Sequence, residues 1–174
     1  MGTALAAAAL DLDTAGALDF EGLVHRHQAM VFSIAFHFLR DRSAAEELAQ
    51  DVFLQLHRHL GALQSSDHVT FWLRRVTAHR CIDYSRRRRF PFLSLDNVPE
   101  PVAHTGASDP LLSRLLRGLV SELPAPARMA IVLRYQEDLT PEEIARVLDR
   151  PVATVKSQLQ RALKTLREKM VRYA

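Results

Sequence analysis

Thr140-Pro-Glu-Glu-Ile-Ala-Arg-Val-Leu148, then Asp149-Arg-Pro151, then Val152-Ala-Thr-Val-Lys-Ser-Gln-Leu-Gln-Arg-Ala-Leu-Lys-Thr-Leu-Arg167: this stretch decides the architecture. Thr140 is placed to cap a helix, Pro141 fills the first helical position at no cost in hydrogen bonds, and Glu143 completes a capping box. Ile144, Ala145 and Leu148 form the inner face of this short helix. Asp149, Arg150 and Pro151 turn the chain, and aspartate is among the few residues that enter the left-handed region readily. A second helix follows, with Val155, Leu159, Ala162, Leu163, Leu166 and Met170 on one stripe at about 100° per residue. Two short helices separated by about three residues have the spacing of a helix-turn-helix.

The face opposite that stripe carries Ala153, Thr154, Ser157, Gln160, Arg161 and Lys164. Small groups, hydroxyls and amides in the early turns suit base edges, while Arg161 and Lys164 can reach bases or phosphates. Lys156 and Arg167 flank the face as phosphate contacts. An ordinary amphipathic surface helix mixes acids with bases, whereas Glu168 is the only acid between Val152 and Met170. The residues therefore point to DNA binding by this unit.

Upstream, helical patterns cover Leu111 to Leu123 and, after Pro124 and Pro126, Ala127 to Gln136. Between Phe90 and Pro110 the helical period disappears, and Pro91, Pro99, Pro101, Gly106 and Pro110 mark a linker. Before it, Phe20, Leu23, Val24, His27, Val31, Ile34, Ala35 and Phe38 recur at helical spacing, which predicts a helix from about Phe20 to Leu39. Ser43 and Glu46 read as a capping box opening a second helix to about Leu60, with Leu48, Val52 and Leu56 inward. After a polar turn at 64–67, Val69, Trp72, Leu73 and Val76 begin a third helix that runs into Arg86 to Arg89. No segment alternates with a period of two. The expected fold is all-α, two small helical domains joined by a flexible linker.

The chain has 174 residues, 48% of them hydrophobic, and a net charge of +3, enough for one ordinary core or two small ones. The charge is unevenly placed. Met1 to Leu73 holds four arginines against nine carboxylates, Arg74 to Arg89 seven arginines against one, and the chain from Leu111 onward twelve Lys and Arg against seven acids. Two basic regions suit a polyanion gripped at two places. The alanine-rich start lacks a basic n-region and is interrupted by Asp11 and Asp13. It fits neither a signal peptide nor a membrane anchor, and reads as a disordered or loosely helical leader. With one cysteine, Cys81, no internal disulfide forms, and a cytoplasmic protein is expected.

Three segments together resemble the extracytoplasmic-function (ECF) sigma factors of bacterial RNA polymerase. Leu148-Asp-Arg-Pro-Val-Ala-Thr-Val-Lys-Ser-Gln-Leu159 is similar to their promoter-reading helix-turn-helix. Ala45-Glu-Glu-Leu-Ala-Gln-Asp-Val-Phe53 is similar to their polymerase-binding helix. Phe71-Trp-Leu-Arg-Arg-Val-Thr-Ala-His-Arg-Cys-Ile-Asp-Tyr-Ser-Arg86 is similar to their promoter-melting helix. The match runs from about Phe20 to Met170 in the family's order.

The resemblance implies a leader at 1–18, a sigma region 2 domain at 19–90, a linker at 91–110 and a sigma region 4 domain at 111–174. Core RNA polymerase, through its β′ clamp helices and β flap, promoter DNA and an anti-sigma factor are the implied partners. Polymerase docking falls to Glu47, Gln50, Asp51, Leu54 and Arg58, which face away from the apolar stripe. The −10 element and its melting fall to Ser66, His68, Phe71, Arg74, Arg75, His79, Arg80, Arg86 and Arg87. Arginines there hold phosphates, and Phe71, Tyr84 and Phe90 can stack on unpaired bases; the turn from Ser65 to Thr70 would hold a flipped base. The −35 element falls to Thr154, Lys156, Ser157, Gln158, Gln160, Arg161 and Lys164.

Two positions depart from the family pattern. His79 stands where asparagine is common, and Gln158 where arginine is common, which removes one phosphate or guanine contact. Asp83 has arginines three and four residues away and reads as a structural partner.

No enzymatic motif is present: the chain lacks a glycine-rich phosphate loop and a nucleophile elbow, so neither catalysis nor a cofactor is expected. His25 with His27, and His57 with His59, are two residues apart and diverge on a helix, so no metal site is expected. A homodimeric helix-turn-helix regulator that never joins core polymerase accounts for the last helices equally well. It leaves the acidic second helix and the Trp72 to Arg89 segment without a purpose.

Overall fold

The computed structural model describes residues 19–63, 65–87 and 110–172. The leader at 1–18, Arg88, Arg89, Phe90 and the linker up to residue 109 lie outside the described residues. Every regular element described is helical: α1 (Phe20–Leu39), α2 (Arg42–His59), a 3-10 turn (Leu60–Ala62), α3 (Ser66–Arg87), α4 (Pro110–Ser121), α5 (Ala125–Gln136), α6 (Pro141–Leu148) and α7 (Val152–Val171).

Local chemistry sets most of these boundaries. Asp19 caps α1 by accepting from the N–H groups of Glu21 and Gly22 at 3.2 and 2.9 Å, satisfying donors that a helix start leaves unpaired. Arg40 ends α1 in the left-handed region at φ 59°. The start of α2 departs from expectation. Its cap is Asp41, which accepts from Ala44 N at 3.0 Å. With the helix already under way at Arg42, Ser43 lies inside the first turn. Glu46 therefore has no cap to reciprocate and pairs with Arg42 at 2.9 Å. The third helix also begins earlier than its apolar pattern, because the Ser65 hydroxyl accepts from His68 N at 3.2 Å. The Thr140 box forms as expected: Thr140 Oγ1 accepts from Glu143 N at 3.2 Å while Thr140 N donates to Glu143 Oε2 at 2.7 Å. Asp149 then turns the chain at φ 54°.

In the N-terminal half, α1 lays Leu23, Val31, Ile34 and Phe38 against Leu48, Val52 and Leu56 of α2 and Val69 and Leu73 of α3, all buried. In the C-terminal half, Met129 and Leu133 of α5, Ile144 and Val147 of α6 and Val155, Leu159 and Leu166 of α7 do the same. Each such side chain contributes about 1.5–3 kcal/mol when removed from water. Trp72 and Val76 are partly buried against this core, and Trp72 meets the His59 ring with centroids 5.6 Å apart.

The halves also pack on each other. α1 lies against α5, α3 lies against α5 and α6, and the buried side chains form one continuous cluster. Arg128 of α5 marks the boundary. Its Nη1 donates to the Phe38 carbonyl at 3.3 Å, its guanidinium lies 4.9 Å from the Phe38 ring centre, and its Nη2 donates to the Leu123 carbonyl at 3.2 Å. A cation at the last turn of α1 meets carbonyls without helical partners and the negative end of the helix dipole.

Candidate functional site

Three exposed faces carry the residues singled out by the sequence. On α2 the inward stripe of Ala45, Leu48, Val52 and Leu56 turns Glu47, Gln50, Asp51, Leu54 and Arg58 to solvent. Leu54 is 58% exposed, a large apolar group among acids and amides, which suits a protein interface. Beside this face, Arg80 of α3 stands 3.8 Å from Asp51. An open cleft between the two helices, lined by Glu47, Asp51, Arg80, Asp83, Tyr84 and Arg87, has a volume of about 640 Å³.

α3 divides the −10 candidates into two groups. Ser66, His68, Arg80, Arg86 and Arg87 are at least partly accessible, and Arg86 lies 3.6 Å from Asp83 within the helix, in keeping with a structural role for that acid. Phe71 is half-buried, and His79 has its Nε2 buried with no partner. Arg74 and Arg75 turn toward the other half of the chain. Arg74 donates from Nε and Nη2 to Glu137 Oε2 at 3.2 and 3.1 Å. Arg75 donates to the Arg146 carbonyl at 3.4 Å and to Asp149 at 3.5 Å. Burial pushes the Glu137 carboxyl above the usual glutamate value, and Arg74 pulls part of that rise back. Sequence reasoning did not find Glu137. Its partner is 63 residues away, and no periodicity or spacing connects them.

α7 presents its polar face as the pattern requires. Lys156, Gln160, Arg161 and Lys164 are exposed, and Thr154 and Ser157 are half-buried, with Ser157 Oγ donating to the Thr154 carbonyl at 2.9 Å. Lys156 pairs with Glu142 of α6 at 2.8 Å, holding its ammonium at the edge of the face. The Lys156 hydrogen bond keeps the Glu142 carboxyl below its usual value. Gln158 differs from its neighbours, since its Oε1 is buried without a partner, so that oxygen does not face outward with Gln160 and Arg161.

Cys81 is buried in α3, and burial pushes its thiol far above the usual range, which leaves no thiolate for chemistry. Among the described residues no three His, Cys, Asp or Glu side chains converge on a metal position, and no helix is long and apolar enough to cross a membrane.

Residues 23–90 match the family model described as Sigma-70 region 2, and residues 113–166 match Sigma-70, region 4. The ECF RNA polymerase sigma-E factor of Escherichia coli K12 is 30% identical over 165 residues, covering 87% of this chain and 86% of that protein. The ECF RNA polymerase sigma factor SigE of Mycolicibacterium smegmatis is 28% identical over 173 residues, covering 93% of this chain; this chain spans 65% of that protein's length. Among solved structures, the sigma factor RpoE of Bartonella quintana, in complex with the anti-sigma factor NepR, superposes with a TM-score of 0.70 at 20% identity. That match covers 86% of this chain and 95% of RpoE. CnrH in complex with the cytosolic domain of CnrY superposes at 0.66 with 21% identity, covering 89% of each chain. At such identities the two superpositions speak for the fold alone. On the region 2 and region 4 matches and the Escherichia coli relative, this chain belongs to the ECF family of RNA polymerase sigma factors.

Proposed function

We propose that this chain joins core RNA polymerase and directs promoter-specific initiation, reading the −35 element as duplex through α7 and the −10 element as melted strand through α3. The observation that carries the reading is the exposed, almost acid-free face of α7 with Lys156, Gln160, Arg161 and Lys164 outward, presented by a capped helix-turn-helix. Glu47, Gln50, Asp51, Leu54 and Arg58 of α2 dock on the β′ clamp helices, and the C-terminal half meets the β flap. Ser66, His68, Phe71, Arg74, Arg75, His79, Arg80, Arg86 and Arg87 serve the −10 element, the arginines on phosphates and the aromatic groups on unstacked bases. Thr154, Lys156, Ser157, Arg161 and their neighbours serve the −35 element. An anti-sigma factor holds the chain inactive, as the names of its structural neighbours' complexes suggest, and it works in the cytoplasm. The domain limits follow the same division, with 19–90 for polymerase binding and −10 recognition, 91–110 as linker and 111–174 for −35 recognition.

Run-off transcription with purified core polymerase on a library of upstream fragments tests this. Promoter-dependent transcripts that require the chain support it. Their absence, together with binding to two-fold symmetric duplex sites, would replace it with the dimeric regulator. Gln50→Lys with Asp51→Lys should abolish assembly with core polymerase while the thermal melt stays unchanged.

A further inference from the structure

Arg80 belongs to α3, but its guanidinium is turned to α2. Its Nη1 lies 3.8 Å from Asp51 Oδ2. The Gln55 amide, oriented with its oxygen toward these donors, accepts from Arg80 Nε at 2.8 Å and also from Nη2. Asp51 and Gln55 stand at i and i+4, one turn apart on the same side of α2, so a single planar fork spans both. Asp83 of α3 could compete for that fork, but its carboxylate lies 3.6 Å from Arg86. The Arg80 and Asp51 side chains are 43% and 55% exposed, and an ion pair so open to water adds little to stability. What it fixes is direction. Asp51 sits one turn before Leu54, the exposed apolar group of the α2 face, and Gln55 is half-buried beneath the same edge.

We infer that Arg80 is a positioning residue of the polymerase-docking face: by bridging Asp51 and Gln55 from α3, it holds the Asp51 carboxylate in place beside Leu54 before the partner arrives. The inference rests on the proposed function, and it gives Arg80 a second role that needs no DNA. Association costs free energy for every flexible side chain it immobilises, so a carboxylate already held by its neighbour costs less to dock. A polar rim in fixed position also helps to exclude water from an apolar anchor such as Leu54. Sequence spacing within α2 does not supply this restraint, because the cation that directs Asp51 comes from another helix.

The test titrates the full chain into labelled core polymerase with no DNA present. Arg80→Ala should weaken binding about tenfold, the scale of a modest interface residue, while its melting temperature stays within about 1 °C of the native value. Arg80→Lys should lose only about threefold, since an ammonium still reaches Asp51 but cannot fork to Gln55 as well. The mode of action is read from a cycle. In a chain already carrying Asp51→Ala and Gln55→Ala, adding Arg80→Ala should weaken binding no further, because a residue that acts through two others is silent without them. A further tenfold loss in that background would mean that Arg80 touches polymerase directly, and would overturn the positioning role. Native affinity in Arg80→Ala would overturn it too, leaving Arg80 a DNA contact alone and the sigma reading intact. So would a fall in melting temperature that accounts for the lost affinity. Absence of binding by the native chain itself would bring down the sigma reading and this inference with it.

Discussion

Arg128 reaches 90 residues back along the chain to donate to the carbonyl of Phe38 and to cover its ring at 4.9 Å. One side chain thereby fastens α5 of the C-terminal half to the end of α1 in the N-terminal half. It combines a charge-assisted hydrogen bond, a cation over an aromatic face and a helix-end interaction.

Replacing Arg128 with alanine should therefore cost about 2 kcal/mol, the scale of a lost hydrogen bond from a charged donor. Arg128→Lys should recover only part, because an ammonium cannot bridge the Phe38 and Leu123 carbonyls as a fork does. Urea denaturation measures both, and an unchanged midpoint for the alanine variant would count against this role.

At the helix-turn-helix, Thr140→Ala should lower stability by about 1 kcal/mol through loss of the cap. Its partner adds a pH signature. Backbone and hydroxyl donation from Thr140 holds the Glu143 carboxyl below its usual value. The capping contribution is then fully present above the ordinary glutamate range and is lost as the pH falls through the lowered value. Melts of native and Glu143→Gln chains between neutral and acid pH should converge at the acid end.

Glu137 works in the opposite sense. Burial raises its carboxyl, so the folded chain binds a proton there more readily than the unfolded one. Its contribution is fully present below the ordinary glutamate value and is lost as the pH rises through the raised one. Mild acidification should thus stabilise the folded chain through this residue, and Glu137→Gln should remove that response while its amide oxygen still accepts from Arg74. Urea denaturation of the native and Glu137→Gln chains across this pH range provides the measurement.

Leu54 offers a separation of stability from assembly. At 58% exposure its truncation to alanine should leave the melting temperature within about 1 °C, as surface changes do. Affinity for core polymerase should nevertheless fall about tenfold, the cost of a modest interface anchor. Titration of labelled core polymerase reads the second effect, and equal affinities would remove Leu54 from the docking face.

Much of this molecule was legible from residues a few positions apart. The apolar period fixed α1 from Phe20 to Leu39, the box at Thr140 and Glu143 fixed the start of α6, and the stripe from Val155 to Met170 fixed which face of α7 looks outward. Helix formation, capping and amphipathic burial act within one or two turns, so a linear reading can see them. Even there, competition between neighbours was decided by geometry. Asp41 took the cap of α2 that the spacing of Ser43 and Glu46 predicts for Ser43, and Gln158 turned its oxygen inward.

Sequence alone determined the helices, their faces, the helix-turn-helix and the resemblance that named the family. Only the tertiary structure decided which arginines of α3 pair with the C-terminal half and which pair within the N-terminal half. Arg74 and Arg75 are indistinguishable from Arg80 and Arg86 by residue type and local charge, but Glu137 and Asp149 lie 63 and 74 residues away from them. An ion pair carries no periodicity, and its partners are chosen by how two packed halves meet, which no local stretch of sequence encodes.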